Sequence, residues 1–329
     1  MHSLADFFAA CLRSGALFET VCALIIVPPL VWAACRTLAP SIKKMAEEPA
    51  WQAPVAAAAC VVPGAVFVSL GSLALMRGLD SACLTQPVGR ALMIAGSAAL
   101  LAGFTRATVL AMRRLRETHA LIHRARSADG ELAEIAASIG VSVRVIDDTL
   151  PLCALAGIFR MTVLVSTAAQ QLLTAREMRA ALHHERAHAR CGDQLLALLI
   201  TFFVDLLPLP SGDLVRTYRL ARERAADRKA LAHAPMLDLA SALVRIAKGA
   251  RLAAATMSLV GDGAGSIESR LHDLIHRPEA ASLASRIRRI VVIALLFAYF
   301  AIAVGGPAVA RTASPSCPMP KVATAHTVR

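Results

Sequence analysis

The sequence predicts a multi-pass α-helical membrane protein carrying a mainly helical α+β domain. Three observations point there. Of 329 residues, 57% are hydrophobic and the mean hydropathy is +0.58, more apolar than an ordinary soluble domain. That apolarity is gathered into uncharged stretches long enough to cross a hydrocarbon core of about 30 Å. Between the last two of them, Arg113 to Arg289 reads instead as polar helices with two β-branched runs.

Four spanning helices are expected. Thr20–Cys35 is uncharged, with Pro28-Pro29 as a kink that neighbouring helices must tolerate. Ala53–Met76 contains no charge. Ala91–Met112 carries Arg106 near its C-terminal end, where a long side chain can snorkel to the interface. Ile290–Ala310 is again free of charge. The N-terminus has Asp6 and no basic leader region, so the first helix is expected to be retained. A fifth apolar run, Gln194–Pro210, is broken by Asp205 and ends in prolines. Its length suits a core or membrane-dipping hairpin better than a full span.

Basic residues set the orientation. Lys43 and Lys44 lie between the first two helices. Arg113, Arg114, Arg116, Arg124 and Arg126 follow the third, and Arg286, Arg288 and Arg289 precede the fourth. The positive-inside rule makes these flanks cytoplasmic. The expected organisation is a membrane domain over 1–112 with three spanning helices and a cytoplasmic domain over 113–289. A fourth spanning helix over 290–310 and a short external disordered tail over 311–329 complete it. The net charge of +12 is then largely topological. It also lies on Arg216, Arg219, Arg222, Arg224, Arg228 and Lys229, a face suited to anionic lipid head groups. No aromatic interleaving accompanies it, so direct nucleic-acid binding is not expected. The eight cysteines have no disulfide-framework spacing.

Within 113–289, Glu131–Ile139 reads as a helix stopped by Gly140, and Ser142–Asp147 and Met161–Ser166 as short strands. Thr174-Ala175-Arg176-Glu177 reads as a capping box, with Met178, Leu182 and Ala189 on an apolar stripe and Gly192 as the stop. A second helix spans roughly Leu214 to Leu231, with Asp213 as a possible N-cap and Pro235 beyond its end. Leu237–Ala247 and Ser266–His276 continue helical around a flexible Gly261–Gly265 loop.

The capped helix contains His184-Glu185-Arg186-Ala187-His188. Histidines four apart stack on one helix face, where a single zinc ion can bind both. Glu185 flanks that position and can take a proton from a metal-bound water. Chance alone yields such a pentapeptide in on the order of one per cent of chains of this composition, so context must support it. Glu223 is the candidate third ligand, and Asp227, one turn on, can accept a hydrogen bond from a ligand histidine. The Met161–Ser166 strand, if at a sheet edge, could pair with an extended peptide. The oxyanion-stabilising group is open among Arg222, Tyr218, His183 and His272. Cys191 reads as a spectator thiol.

With these residues in place, the chain resembles the BlaR/MecR family of integral-membrane zinc metallopeptidases, over roughly Arg113 to Arg289. The resemblance rests on Pro151…Gly157-Ile158-Phe159-Arg160 leading into Val163-Leu164-Val165-Ser166. It rests also on Leu182–His188 followed by Asp193, and on Glu223-Arg224-Ala225-Ala226-Asp227-Arg228. The family pattern often has proline where this chain has Met161 and Gln194. The resemblance implies a gluzincin-like domain of a bacterial cytoplasmic membrane. It implies Zn2+ on His184, His188 and Glu223, Glu185 as general base, and a polypeptide substrate such as a cytosolic transcriptional repressor. Only 19 residues follow the last apolar stretch, so β-lactam sensing by a penicillin-binding domain of this chain is not expected. Two alternatives are an HtpX-like membrane quality-control protease, which shares both motifs, and a non-catalytic membrane scaffold with a structural metal.

Overall fold

The computed structural model describes residues 26–44, 49–80, 87–255 and 263–276. Three helices come first: α1 (Val27–Lys44), α2 (Pro49–Asp80) and α3 (Pro87–Arg124). Among the described residues two helices are long and apolar enough to cross a membrane, through Gln52–Ser72 and Ile94–Arg124. These match the second and third expected spans. Helix α1 does not meet the same test: it runs past Cys35 and carries Arg36, Lys43 and Lys44. Pro28 and Pro29 sit in its first described turn, where missing N–H groups cost nothing. Most of the N-terminal part of Thr20–Cys35, all of Ile290–Ala310 and the 311–329 tail lie outside the described residues.

The run Gln194–Pro210 contributes a single helix, α7 (Asp193–Leu206), packed against both α2 and α3. Glycines make the approach possible. A Cβ on Gly64 would lie 2.3 Å from the Phe203 carbonyl oxygen, and one on Gly103 2.7 Å from that of Leu206. Such small-residue contacts are how apolar helices come together without a hydrophobic driving force. Arg106, though exposed, is also tied to α7. Its Nη1 donates to the Asp205 and Leu207 carbonyls at 2.7 and 3.4 Å, while Arg114 pairs with Asp205 Oδ2 at 2.5 Å. Unpaired carbonyls at a helix C-terminus are a better partner than distant water.

The domain that follows is built on a four-stranded sheet, β1 (Arg126–Ser127), β2 (Val143–Ile146), β3 (Cys153–Ala156) and β4 (Thr162–Ser166), in the order β1-β2-β4-β3. β2 and β4 are parallel and the other pairs antiparallel. The expected edge strand, Met161–Ser166, is therefore interior. Both its faces are covered. Val163 and Val165 enter a core with α4 (Gly130–Ile139) and α6 (Ala175–Cys191), and Leu164 packs with Ala125, Ile146 and Ala156 on the other side. The edge on that side is β3, folded back onto β4 by a turn at Gly157. There φ is 88° and a Cβ would meet the Arg160 carbonyl at 2.4 Å, so only glycine fits.

The remaining helices are α5 (Thr167–Leu172), α8 (Gly212–Ala230), α9 (Met236–Ala255) and α10 (Gly263–Ile275). Ser211, not Asp213, occupies the N-cap position of α8. Asp213 is drawn instead into ion pairs with Arg36 and Arg216. Helix α10 begins three residues before Ser266, taking in part of the expected loop, because Leu271 and Leu274 anchor it on α9 and the region of Ala180 and Ala230.

Candidate metal centre

Helix α6 forms where its caps dictate. Thr174 and Glu177 make the reciprocal capping box, and Gly192 closes the helix at φ 65°. Met178, Ala181 and Leu182 pack into the sheet core. This fixes the helix rotation and brings His184, Glu185 and His188 into the interior, each less than a tenth exposed. Helix α8 crosses α6 and brings Glu223 and Asp227 to the same place.

Among the described residues one group of three could hold a metal ion: His184, His188 and Glu223. The separations are 3.1 Å between the two Nε2 atoms, 3.3 Å from His184 Nε2 to Glu223 Oε2, and 3.6 Å from His188 Nε2 to Glu223 Oε1. Tetrahedral zinc with bonds of 2.0–2.1 Å sets its ligand atoms about 3.3–3.5 Å apart, so this donor set fits. The second nitrogens agree. His188 Nδ1 lies 2.6 Å from Asp193 Oδ2 and His184 Nδ1 2.9 Å from Asp227 Oδ1. With each Nδ1 facing a carboxylate, both Nε2 atoms are left directed to the position that a metal would take.

Glu185 does not join the three donors. Its Oε2 accepts the Leu155 N–H at 2.8 Å, and Gln194 Nε2 donates to the Leu155 carbonyl at 2.6 Å. Leu152 pairs with Ser166 across β3 and β4. By antiparallel alternation, the Leu155 backbone groups then point away from β4, where Glu185 and Gln194 take them up. The edge strand thus runs directly beside the Glu185 carboxylate.

The electrostatics favour a cation at the centre. Burial alone would lower the His184 pKa, but Asp227 and Glu223 outweigh it and lift it to about 10. For Glu223, burial is outweighed by His184, His188 and Arg270, and its carboxyl is held well below the usual range. Burial raises Glu185 despite both histidines, which makes it a better proton acceptor than an exposed glutamate.

One central residue is not legible in the sequence. Arg270, on α10, binds Asp227 through Nε and Nη2 at 2.8 and 2.7 Å, and its Nη1 lies 3.3 Å from Glu223 Oε2. It is buried and ties Glu223, the candidate third donor, to Asp227, the carboxylate beside His184. Of the four residues considered for oxyanion binding, Arg222 touches Glu223, at 3.1 Å, and its Nε is buried without a partner among the described residues. The Tyr218 hydroxyl is buried without a partner among the described residues, packed with α1, α2 and α7. His183 stacks on His233 and His272 on His276, both engaged elsewhere. Cys191 contacts Lys229.

Metal binding should be steeply proton-linked. The raised His184 pKa means that the metal-free site holds a proton that a metal must displace. Affinity therefore rises with pH, about tenfold per unit, up to the neighbourhood of pH 10. Competitive zinc titrations between pH 6 and 9 would measure the slope; a flat profile would show that His184 is not a ligand.

No known protein family, curated protein or solved structure matches this chain.

Proposed function

We propose that this chain is a membrane-embedded zinc metalloendopeptidase whose catalytic domain faces the cytoplasm. One observation carries the reading: a buried carboxylate, Glu185, stands beside three converging metal donors and accepts the backbone N–H of the edge strand β3. Two imidazoles and one carboxylate are a catalytic zinc set with an open coordination position. A purely structural site would need neither Glu185 nor the edge.

Zinc bound there would polarise a water and the scissile carbonyl. Glu185 takes the water's proton and passes it to the leaving amine. Asp193 and Asp227 hold the tautomers of His188 and His184, and Arg270 holds Asp227 and Glu223. An extended substrate pairing along β3 takes over the Leu155 N–H. That exchange releases Glu185 Oε2 for proton transfer. By resemblance to the BlaR/MecR family, the substrate class is a cytosolic regulator such as a transcriptional repressor, cleaved at a bacterial cytoplasmic membrane.

The test compares N-terminal peptide fragments between cells carrying the wild-type chain and cells carrying Glu185→Ala. The proposal expects a defined set of fragments, from one or a few proteins, that disappears in the variant. Identical fragment sets would overturn it.

A further inference from the structure

A cleft of about 680 Å³ opens between the C-terminal part of α3, the β3–β4 turn, α7 and α8. Its walls are mostly apolar, with Leu115, Ile122, Ile158 and Leu198 among them. Its cations are not balanced. Arg114 is committed to Asp205, but Arg116 and Arg219 are exposed and have no ion-pair partner among the described residues.

The position of these charges is informative. On α3 the apolar stretch, interrupted by Arg106, ends at Met112, and Arg113, Arg114 and Arg116 follow. If α3 crosses the bilayer, these arginines lie at head-group level and the cleft opens there. Phe104 and Met112 on the apolar part of α3 are exposed, and so are Leu195 and Leu199 on the α7 segment that lines the cleft. The cleft therefore pairs an uncompensated basic mouth with an apolar track beside a candidate spanning helix.

We propose that this cleft binds one anionic phospholipid, its phosphate at Arg116 and Arg219 and an acyl chain along α3 and α7. Basic pockets beside spanning helices on the cytoplasmic side select anionic head groups in this way. The site is also wired to the metal centre. Gln194 lines the cleft and donates to the Leu155 carbonyl, while Leu155 N–H donates to Glu185. Occupancy by lipid braces the edge strand, so peptidase activity depends on anionic lipid. The lipid site rests on the membrane reading of α3, and its activity consequence on the peptidase reading.

The test uses the purified full-length chain in nanodiscs of phosphatidylcholine containing a minority of phosphatidylglycerol. Native mass spectrometry then counts lipids retained after stripping. Wild type should keep one phosphatidylglycerol, and R116E/R219E should lose it with an affinity drop of at least about 25-fold, the loss of two cations alone. Ala197→Trp, which fills the cleft without touching a charge, should also displace it, and Arg124→Glu, on α3 outside the cleft, should not. Equal retention in wild type and R116E/R219E would overturn the proposal. So would slower peptide cleavage in R116E/R219E at unchanged lipid retention, which would assign the cleft to substrate. Failure of wild type to float with pure phosphatidylcholine vesicles would instead sink the membrane reading and the lipid site with it. Absence of any Glu185-dependent cleavage would sink the peptidase reading but leave the lipid count standing.

Discussion

Glu185→Gln is expected to slow peptide cleavage by about 10²- to 10⁴-fold, the span ascribed to a positioned general base, while zinc content stays at the wild-type level. The substitution keeps the size of the side chain and an oxygen that can accept the Leu155 N–H, now held at 2.8 Å. It removes only basicity. No zinc donor changes, since His184, His188 and Glu223 are separate residues. Folding is not expected to suffer, because a buried carboxylate whose pKa burial already raises is replaced by a neutral group. The measurement pairs zinc per chain, by atomic emission, with the cleavage rate of a substrate found from the fragment comparison. Full zinc with lost cleavage identifies Glu185 as the base. Full zinc with undiminished cleavage would remove it from the mechanism. Loss of zinc would mean that Glu185 helps hold the ion, contrary to its place outside the donor triangle.

How much of this centre could be read along the chain depends on how local each signal is. Helix α6 announces itself through Thr174, Glu177 and Gly192, all within a turn of the groups they satisfy. The pairing of His184 with His188 follows from helical rise alone. Glu223 and Asp227 were legible as a carboxylate pair one turn apart, but only α6–α8 packing brings them to the histidines. Two pieces had no local signature. Strand β3 is Cys-Ala-Leu-Ala, with no β-branched residue, and exists because β4 and Glu185 satisfy its two sides. Missing it made the buried strand Met161–Ser166 pass for the edge. Arg270 sits 43 residues from Asp227 on a polar helix turn like any solvated arginine. Nothing in its neighbours marks it as buried. Candidate membrane spans are legible where apolar length is decisive, as in Gln52–Ser72. The short α7 is not, because its place depends on Gly64 and Gly103 letting it approach.

Arg270→Met is expected to cost the metal-free protein about 3–5 kcal/mol, the usual penalty for stripping one partner from a buried ion pair. The guanidinium is less than a tenth exposed and bridges Asp227 and Glu223, so its loss leaves two buried carboxylates facing one another. For Asp227, burial pushes the pKa up and the Arg270 and His184 contacts hold it down. Without Arg270 the balance shifts toward burial. A folded pKa depressed below its unfolded value gives stability that is present at neutral pH and lost as pH falls through the folded value. Arg270→Met should therefore be most damaging near pH 7 and less so in acid. Zinc changes the sum. Once Glu223 has a cation of its own, the deficit should shrink in the zinc-loaded protein. At about 2–4 °C per kcal/mol for a domain of this size, the metal-free melting temperature should fall by about 6–20 °C, with part of that recovered on adding zinc. Asp227→Asn combined with Arg270→Met removes one orphaned charge and should regain some stability. Arg270→Lys should not fully rescue, since an ammonium cannot reproduce the two-pronged contact with Asp227. Thermal unfolding in detergent, with and without zinc, separates these outcomes. A metal-free Arg270→Met protein melting at the wild-type temperature would show that α10 is held by its apolar face alone, and that Arg270 does not organise the centre.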